Sequence, residues 1–395
     1  MTEAKAVPID ASDFTLTGCG PLDKLQARLG IPTADSPRLI VRAIATALFA
    51  WLPLLIMTLF ARSEGTPTVT FFQDIASYVR FLVVIPLLIL AEATVGHRTR
   101  MVASGFATSG LIGEEDAPRF VAAVRSARKM SESFVAEVVI AILAFVVIWL
   151  GVENLMRDGV LFWYEEERNG AHHLSMAGWW YAFVASPIAF FLFLRWAWRY
   201  FVWSWFLRKV SKLNLRVIGT HPDRAGGLGF ITVGHDAFAV CAFAASAVVA
   251  AAAANRVLYE GIQLKSYQTA MAGFVVVSVV LALVPLLTFM RPLLIVKRKG
   301  IIKYGDLGGR YVREFEQKWI EGKGAPGEPL LGTGDIQSLA DIGGSYERLD
   351  KMSVVPFDRR TVLAFAAAAA IPMIPLLLTV ISLRELMQLF VKAMM

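Results

Sequence analysis

Seven long apolar runs cross this chain, near Leu39–Ala61, Arg80–Val95, Phe134–Val152, Gly178–Trp198, Ala237–Arg256, Thr269–Met290 and Thr361–Ile381. Charged residues gather in the connections between them. Each run is continuous and lacks the apolar–polar alternation of a barrel strand. At a helical rise of about 1.5 Å per residue, roughly twenty residues cross the hydrocarbon core. A segment in that core must satisfy its own backbone N–H and C=O groups, which a helix does. The pattern therefore predicts an all-α, polytopic transmembrane helix bundle over residues 39–381. A cytoplasmic N-terminal tail, 1–38, precedes it and a short C-terminal tail, 382–395, follows.

Lys and Arg settle the expected orientation. Thirty of them lie in the N-terminal tail and in the second, fourth and sixth connections; eight lie in the other connections and the C-terminal tail. The positive-inside rule then puts the N-terminus in the cytoplasm and the C-terminus outside. The fourth run supports the depth assignment. Trp179 and Trp180 lie at one end and Trp196 and Trp198 at the other. From Trp180 to Trp198 a helix rises roughly 27 Å, which fits two interfacial aromatic belts.

Composition agrees. The chain is 56% hydrophobic and 18% charged, against about a quarter charged in a soluble domain. The net charge of +7 is concentrated beside the spans, so it points to topology and anionic lipid rather than to nucleic acid. Residues 1–38 are polar and mixed in charge, so the first span is expected to act as an uncleaved insertion signal. Cys19 and Cys241 stand far apart along the chain, and no disulfide is expected.

Several segments add detail. The fifth run is mostly Ala, which gives little insertion energy and lets neighbouring backbones approach closely; it is expected at the centre of the bundle, as a packed core helix or a pore lining. Pro53, Pro86, Pro187, Pro285 and the pair Pro372 and Pro375 interrupt five runs and predict kinks. On the basic side, Asp116-Ala117-Pro118 starts an amphipathic helix. Within the loop 297–358, Tyr311, Phe315 and Trp319 form one stripe, and Asp335 is expected to cap a run with Ile336, Leu339, Ile342, Tyr346 and Leu349. These helices would pack on the inner face, lie in the interface or mediate self-association into a homo-oligomer.

The densest chemical candidate is Thr220-His221-Pro222-Asp223-Arg224-Ala225-Gly226-Gly227-Leu228-Gly229-Phe230, followed by Gly234-His235-Asp236. Gly226, Gly227 and Gly229 can turn N–H groups towards an anion, with Arg224 assisting. His221, Asp223, His235 and Asp236 are ligand types for a divalent cation. The same residues also make a tight turn, with Asp bonding its own backbone. No Walker loop is present, and no metal or cofactor is assigned. Glu92, Arg195 and Arg291 lie at similar depth near the inner leaflet, with Glu137 in the same layer. A Glu92–Arg195 or Glu92–Arg291 ion pair competes with a cytoplasmic vestibule. No ionisable residue lies near the middle of a span, which argues against a proton-driven pump. Glu165-Glu166-Glu167 and His172-His173 read as a solvated outer loop.

The segments Leu194–Trp198 leading to Thr220–Phe230, then Arg310–Trp319, then Gly334-Asp335-Ile336-Gln337-Ser338-Leu339-Ala340-Asp341 resemble a family of uncharacterised bacterial multi-pass membrane proteins. The resemblance covers most of the chain and implies a bacterial inner-membrane location; it implies no catalytic residues. The leading functional expectation is a channel or facilitator for ions or small solutes. It would use the Ala-rich helix and a vestibule of Glu92, Arg195, His221, Asp223, Arg224, His235 and Asp236. The alternatives are a membrane scaffold or signalling partner acting through the amphipathic helices, and a membrane-embedded enzyme acting on a lipid or anionic headgroup.

Overall fold

A computed structural model describes residues 14–60, 69–155, 162–168, 171–323, 329 and 332–377. Helix α1 (Pro21–Arg28) precedes the first long helix, α2 (Leu39–Phe60). Helix α3 (Ile75–Thr108), the interfacial α4 (Ala117–Ser131) and α5 (Phe134–Leu155) follow. A two-stranded antiparallel hairpin, β1 (Glu165–Arg168) and β2 (Ala171–Leu174), then leads into α6 (Met176–Val210). Next come α7 (Ile231–Tyr259), α8 (Lys265–Leu287), α9 (Met290–Phe315), α10 (Gly334–Asp350) and α11 (Arg359–Leu376).

Among the described residues, seven helices are long and apolar enough to cross a membrane: α2, α3, α5, α6, α7, α8 and α11. The chain is a polytopic all-α membrane bundle. Its seven spans coincide with the seven apolar runs, although α3 and α6 extend well past the runs at their polar ends. The extension of α6 carries Trp203, Phe206 and Val210, all buried, and the helix continues unbroken into the basic face. The predicted end of the seventh run, 378–381, and the tail 382–395 lie outside the described residues.

Burial separates centre from periphery. Half of the α3 span and 44% of the α6 and α7 spans are buried, against 11% for α5 and 17% for α8. The Ala-rich α7 packs on α11, where Ser246 Oγ donates to the Ala369 carbonyl at 2.5 Å. Small residues on both helices allow that approach.

Two prolines leave a local signature. A π turn at Val79–Val84 precedes Pro86 in α3, and one at Tyr181–Ala185 precedes Pro187 in α6. Proline has no N–H for the carbonyl one turn back, and a wider turn takes up the freed groups. The two π turns meet: Arg80 Nη1 donates to Tyr181 Oη at 2.6 Å.

The two ends of the bundle differ. On the hairpin face, the segment predicted as a solvated acidic loop is folded. Trp163 and Tyr164 are buried, and Trp163 Nε1 donates to Asp74 at 2.9 Å. Asp74 also caps α3 through Ser77 N and receives Asn255 Nδ2 at 2.6 Å. On the basic face, α9 pairs with α10. Asp335 lies in the first turn of α10, whose N-cap is Thr333. Its carboxylate instead accepts from Lys318 Nζ at 2.9 Å and Trp319 Nε1 at 3.0 Å. Leu349 of α10, 1% exposed, is seated against Gly219 and Gly300, where a Cβ would collide with it.

Candidate functional site

The polarity that marks residues 1–38 as a tail hides several residues that the fold buries. Phe14 and Leu16 are inside the bundle, with the Phe14 ring tilted against Phe206 at 4.5 Å and edge-on to Trp203 at 6.1 Å. Thr17 lies over Gly96 of α3, where any side chain would overlap it. Asp23, on α1, is 1% exposed.

Asp23 completes a cluster of six ionisable side chains. Arg195 and Arg199 lie one helical turn apart on α6, on the same face. Both reach Glu92 Oε1 of α3, at 3.3 and 2.9 Å. Arg42 of α2 pairs with Glu92 Oε2. Arg195 Nη2 donates to Asp23 Oδ2 at 2.5 Å and lies 3.4 Å from Glu137 Oε1 of α5. Glu137 Oε2 accepts the backbone N–H of Leu22 at 2.8 Å, which ties α1 to the bundle. Gly20 lets Glu137 come close at this junction: a Cβ there would approach Glu137 Oε1 to 2.5 Å and make that carboxylate shift. Trp196 supplies a ring 5.0 Å from the Arg199 guanidinium. Three guanidinium groups thus face three carboxylates, almost out of contact with solvent. Charges taken out of water persist only when paired and hydrogen-bonded in this way.

Asp23 lies outside the spans, and its carboxyl is held below the ordinary carboxylate value. Burial pushes it up, but the Arg195 and Arg199 charges and the Arg195 hydrogen bond outweigh that. A cavity of about 430 Å³ opens beside the cluster. Gln26, Arg42, Thr46, Glu92 and Arg195 line its polar end, and phenylalanines of α5 and α6 line the rest.

The other sequence candidates lie elsewhere. The glycine loop is organised around Asp223. Its carboxylate accepts the N–H groups of Ala225 at 2.8 Å, Gly227 at 3.1 Å and Gly229 at 2.9 Å, and His221 Nδ1 lies 2.7 Å away. Burial raises its pKa, yet these N–H donors bring it below the ordinary value. The inward-turned N–H groups are therefore occupied by the chain's own carboxylate. Arg224 adopts φ +55°, with Gly226 at +67° and Gly227 at +92°. The Arg224 carbonyl accepts Ser353 N at 2.7 Å, stitching the loop to the segment after α10. Asp223, Arg224 and Gly229 border a separate, polar cavity of about 620 Å³ with Lys351 and Arg359.

His235 is a core residue. It is fully buried, accepts from Trp203 Nε1 at Nδ1 (3.3 Å), and its Nε2 donates to the Ala282 carbonyl at 2.5 Å. Both ring nitrogens are used, which fixes the Nε2–H tautomer. Asp236 starts the long part of α7, half-buried. Arg291 is exposed at the start of α9 and makes no ion pair with Glu92. Of the predicted vestibule, the structure brings together Glu92 and Arg195, with Glu137. It keeps His221, Asp223 and Arg224 in the loop and His235 in the core. Asp23, Arg42 and Arg199 were missed as members. Arg199 had a sequence signal, its spacing of four from Arg195; Asp23 and Arg42 had none beyond their charge.

No family model, no curated protein and no solved structure matches the chain. The functional argument therefore rests on the chain's own geometry.

Proposed function

We propose that this integral membrane protein is a facilitator for small anions, closed on its basic face by the segment 14–38. With the positive-inside assignment, that face is cytoplasmic, and the membrane is the bacterial inner membrane. One observation carries the reading. Asp23, a residue outside the spans, neutralises a membrane-level cluster that otherwise holds Arg42, Arg195 and Arg199 against only Glu92 and Glu137. Withdrawing α1 leaves one excess positive charge at a cavity mouth in low dielectric, where it attracts an anion strongly.

Anion efflux from liposomes tests this. Wild-type protein passes chloride slowly, and Asp23→Ala or removal of residues 1–36 raises the rate at least tenfold. Arg195→Gln in the same background removes the gain. Folded variants that pass no more anion than protein-free vesicles overturn the reading.

A second reading has its own support. Ile302, Ile336 and Tyr346 are exposed on the α9–α10 pair, outside the spans. Apolar side chains grouped on a water-facing helical pair suit a protein partner or a second copy of the chain. Under that reading, loss of α10 abolishes association and leaves anion efflux unchanged.

A further inference from the structure

The cavity in the opposite half of the bundle is built differently. It measures about 440 Å³ and lies between α5, α6 and α7 on the side of the hairpin. Its walls are almost wholly apolar, with Phe190, Phe193 and Val248 among the lining residues. All three are partly exposed, so the cavity opens sideways onto the lipid-facing surface.

Two polar groups break this wall. Arg80 lies at the cavity with no carboxylate partner among the described residues; its hydrogen bond goes to Tyr181, whose ring also lies 5.7 Å from the guanidinium carbon. The Asp74 carboxylate acts on Arg80 only from beyond salt-bridge distance, in contrast to the directly paired cluster around Glu92. Ser186 is 3% exposed, lines the same cavity, and its hydroxyl has no hydrogen-bond partner among the described residues. A buried hydroxyl without a partner costs about 1–3 kcal/mol, so an occupant with an acceptor would relieve it. The setting is also irregular by construction. Arg80 and Tyr181 each belong to a π turn, and such turns recur at functional sites.

We propose that this cavity is a binding site for one anionic phospholipid of the surrounding bilayer. Its phosphate pairs with Arg80, an ester carbonyl accepts the Ser186 hydroxyl, and one acyl chain lies along Phe190, Phe193 and Val248. The order of the groups fits. Ser186 is five residues further along α6 than Tyr181, roughly 7 Å deeper into the membrane. A phospholipid likewise presents its phosphate first, then its ester carbonyl, then its chain. The cavity volume falls within the usual range for a small-molecule site. The lateral opening admits the ligand from the membrane without passage through water.

Photo-crosslinking of the full chain in liposomes tests the assignment. The probe is phosphatidylglycerol with a diazirine in one acyl chain, compared with phosphatidylcholine carrying the same chain. Adducts are mapped by peptide mass spectrometry. The phosphatidylglycerol probe labels the peptides containing Phe190, Phe193 and Val248, and Arg80→Gln lowers that labelling about tenfold, the worth of a charge-assisted hydrogen bond. Phosphatidylcholine, whose phosphate charge is already balanced by its choline, labels the same peptides more weakly, and Arg80→Gln lowers its labelling by less. Val248→Phe fills the cavity and removes labelling by both probes; it decides the matter if Arg80→Gln does not fold. Equal labelling by the two probes, adducts confined to other helices, or undiminished labelling in Val248→Phe overturns the proposal.

Discussion

Asp23, on a short helix before the first span, accepts a hydrogen bond at 2.5 Å from Arg195, just past the middle of α6. This bond joins a water-side segment to a charge held at membrane depth. Removing one partner of a buried pair costs about 3–5 kcal/mol. Glu92 and Glu137 still serve Arg195, so Asp23→Asn is expected at the lower end, about 3 kcal/mol. Limited proteolysis checks it: cleavage within residues 14–38 accelerates in the variant while the spans stay protected.

The same residue sets a pH dependence. Its folded pKa lies below the ordinary value of 3.8. The docking free energy it contributes is therefore complete above that ordinary value and is lost as pH falls through the lower folded one. Acid should release the segment 14–38 in wild type, with no such transition in Asp23→Asn. Proteolytic nicking followed against pH reads this directly.

The glycine loop makes a contrasting prediction. Asp223 holds three backbone N–H groups. Asp223→Ala leaves them without that acceptor, at a cost of about 1–3 kcal/mol. Arg224→Gly places glycine where φ is +55°. It relieves a left-handed strain of about 1–2 kcal/mol and should be neutral or stabilising. Thermal unfolding of the two variants should move in opposite directions; parallel losses would mean that the Arg224 side chain, not its backbone, matters.

Leu349 anchors α10 between Gly219 and Gly300, and Lys297 Nζ donates to the carbonyls of Asp350 and Met352 at 2.7 and 2.8 Å. Leu349→Ala removes a buried side chain, with a loss of about 2–5 kcal/mol. Amide exchange in α10 should rise while that in α7 stays slow.

On the hairpin face, Asp74 gathers Trp163, Asn255 and the first turn of α3. Asp74→Ala removes a cap worth about 1 kcal/mol and leaves Trp163 Nε1 and Asn255 Nδ2 without their acceptor. Residues 162–174 should become cleavable from that side, with Trp163 fluorescence shifted to the red.

The spans were legible in the sequence because their cause is one-dimensional. Roughly twenty consecutive apolar residues suit a helix in hydrocarbon whatever surrounds them, so the starts of α2 and α5 coincide with their runs. The turn in the glycine loop was legible too, since Asp and Gly act on backbone within a few residues of themselves. Helix–helix partnership was not. Hydropathy ranks Arg195 and Arg291 alike at the inner ends of their runs. Only packing brings Arg195 to Glu92 and leaves Arg291 exposed. Nor does a polar tail announce that Phe14, Leu16 and Asp23 are buried, because three residues in a charged stretch leave no period. What the sequence by itself determined was which segments enter the membrane, a matter of transfer from water. Which charges neutralise one another, and that Arg80 reaches a cavity with no carboxylate at salt-bridge distance among the described residues, was decided by tertiary structure. Electrostatic pairing depends on separations of a few ångströms between residues far apart in the chain.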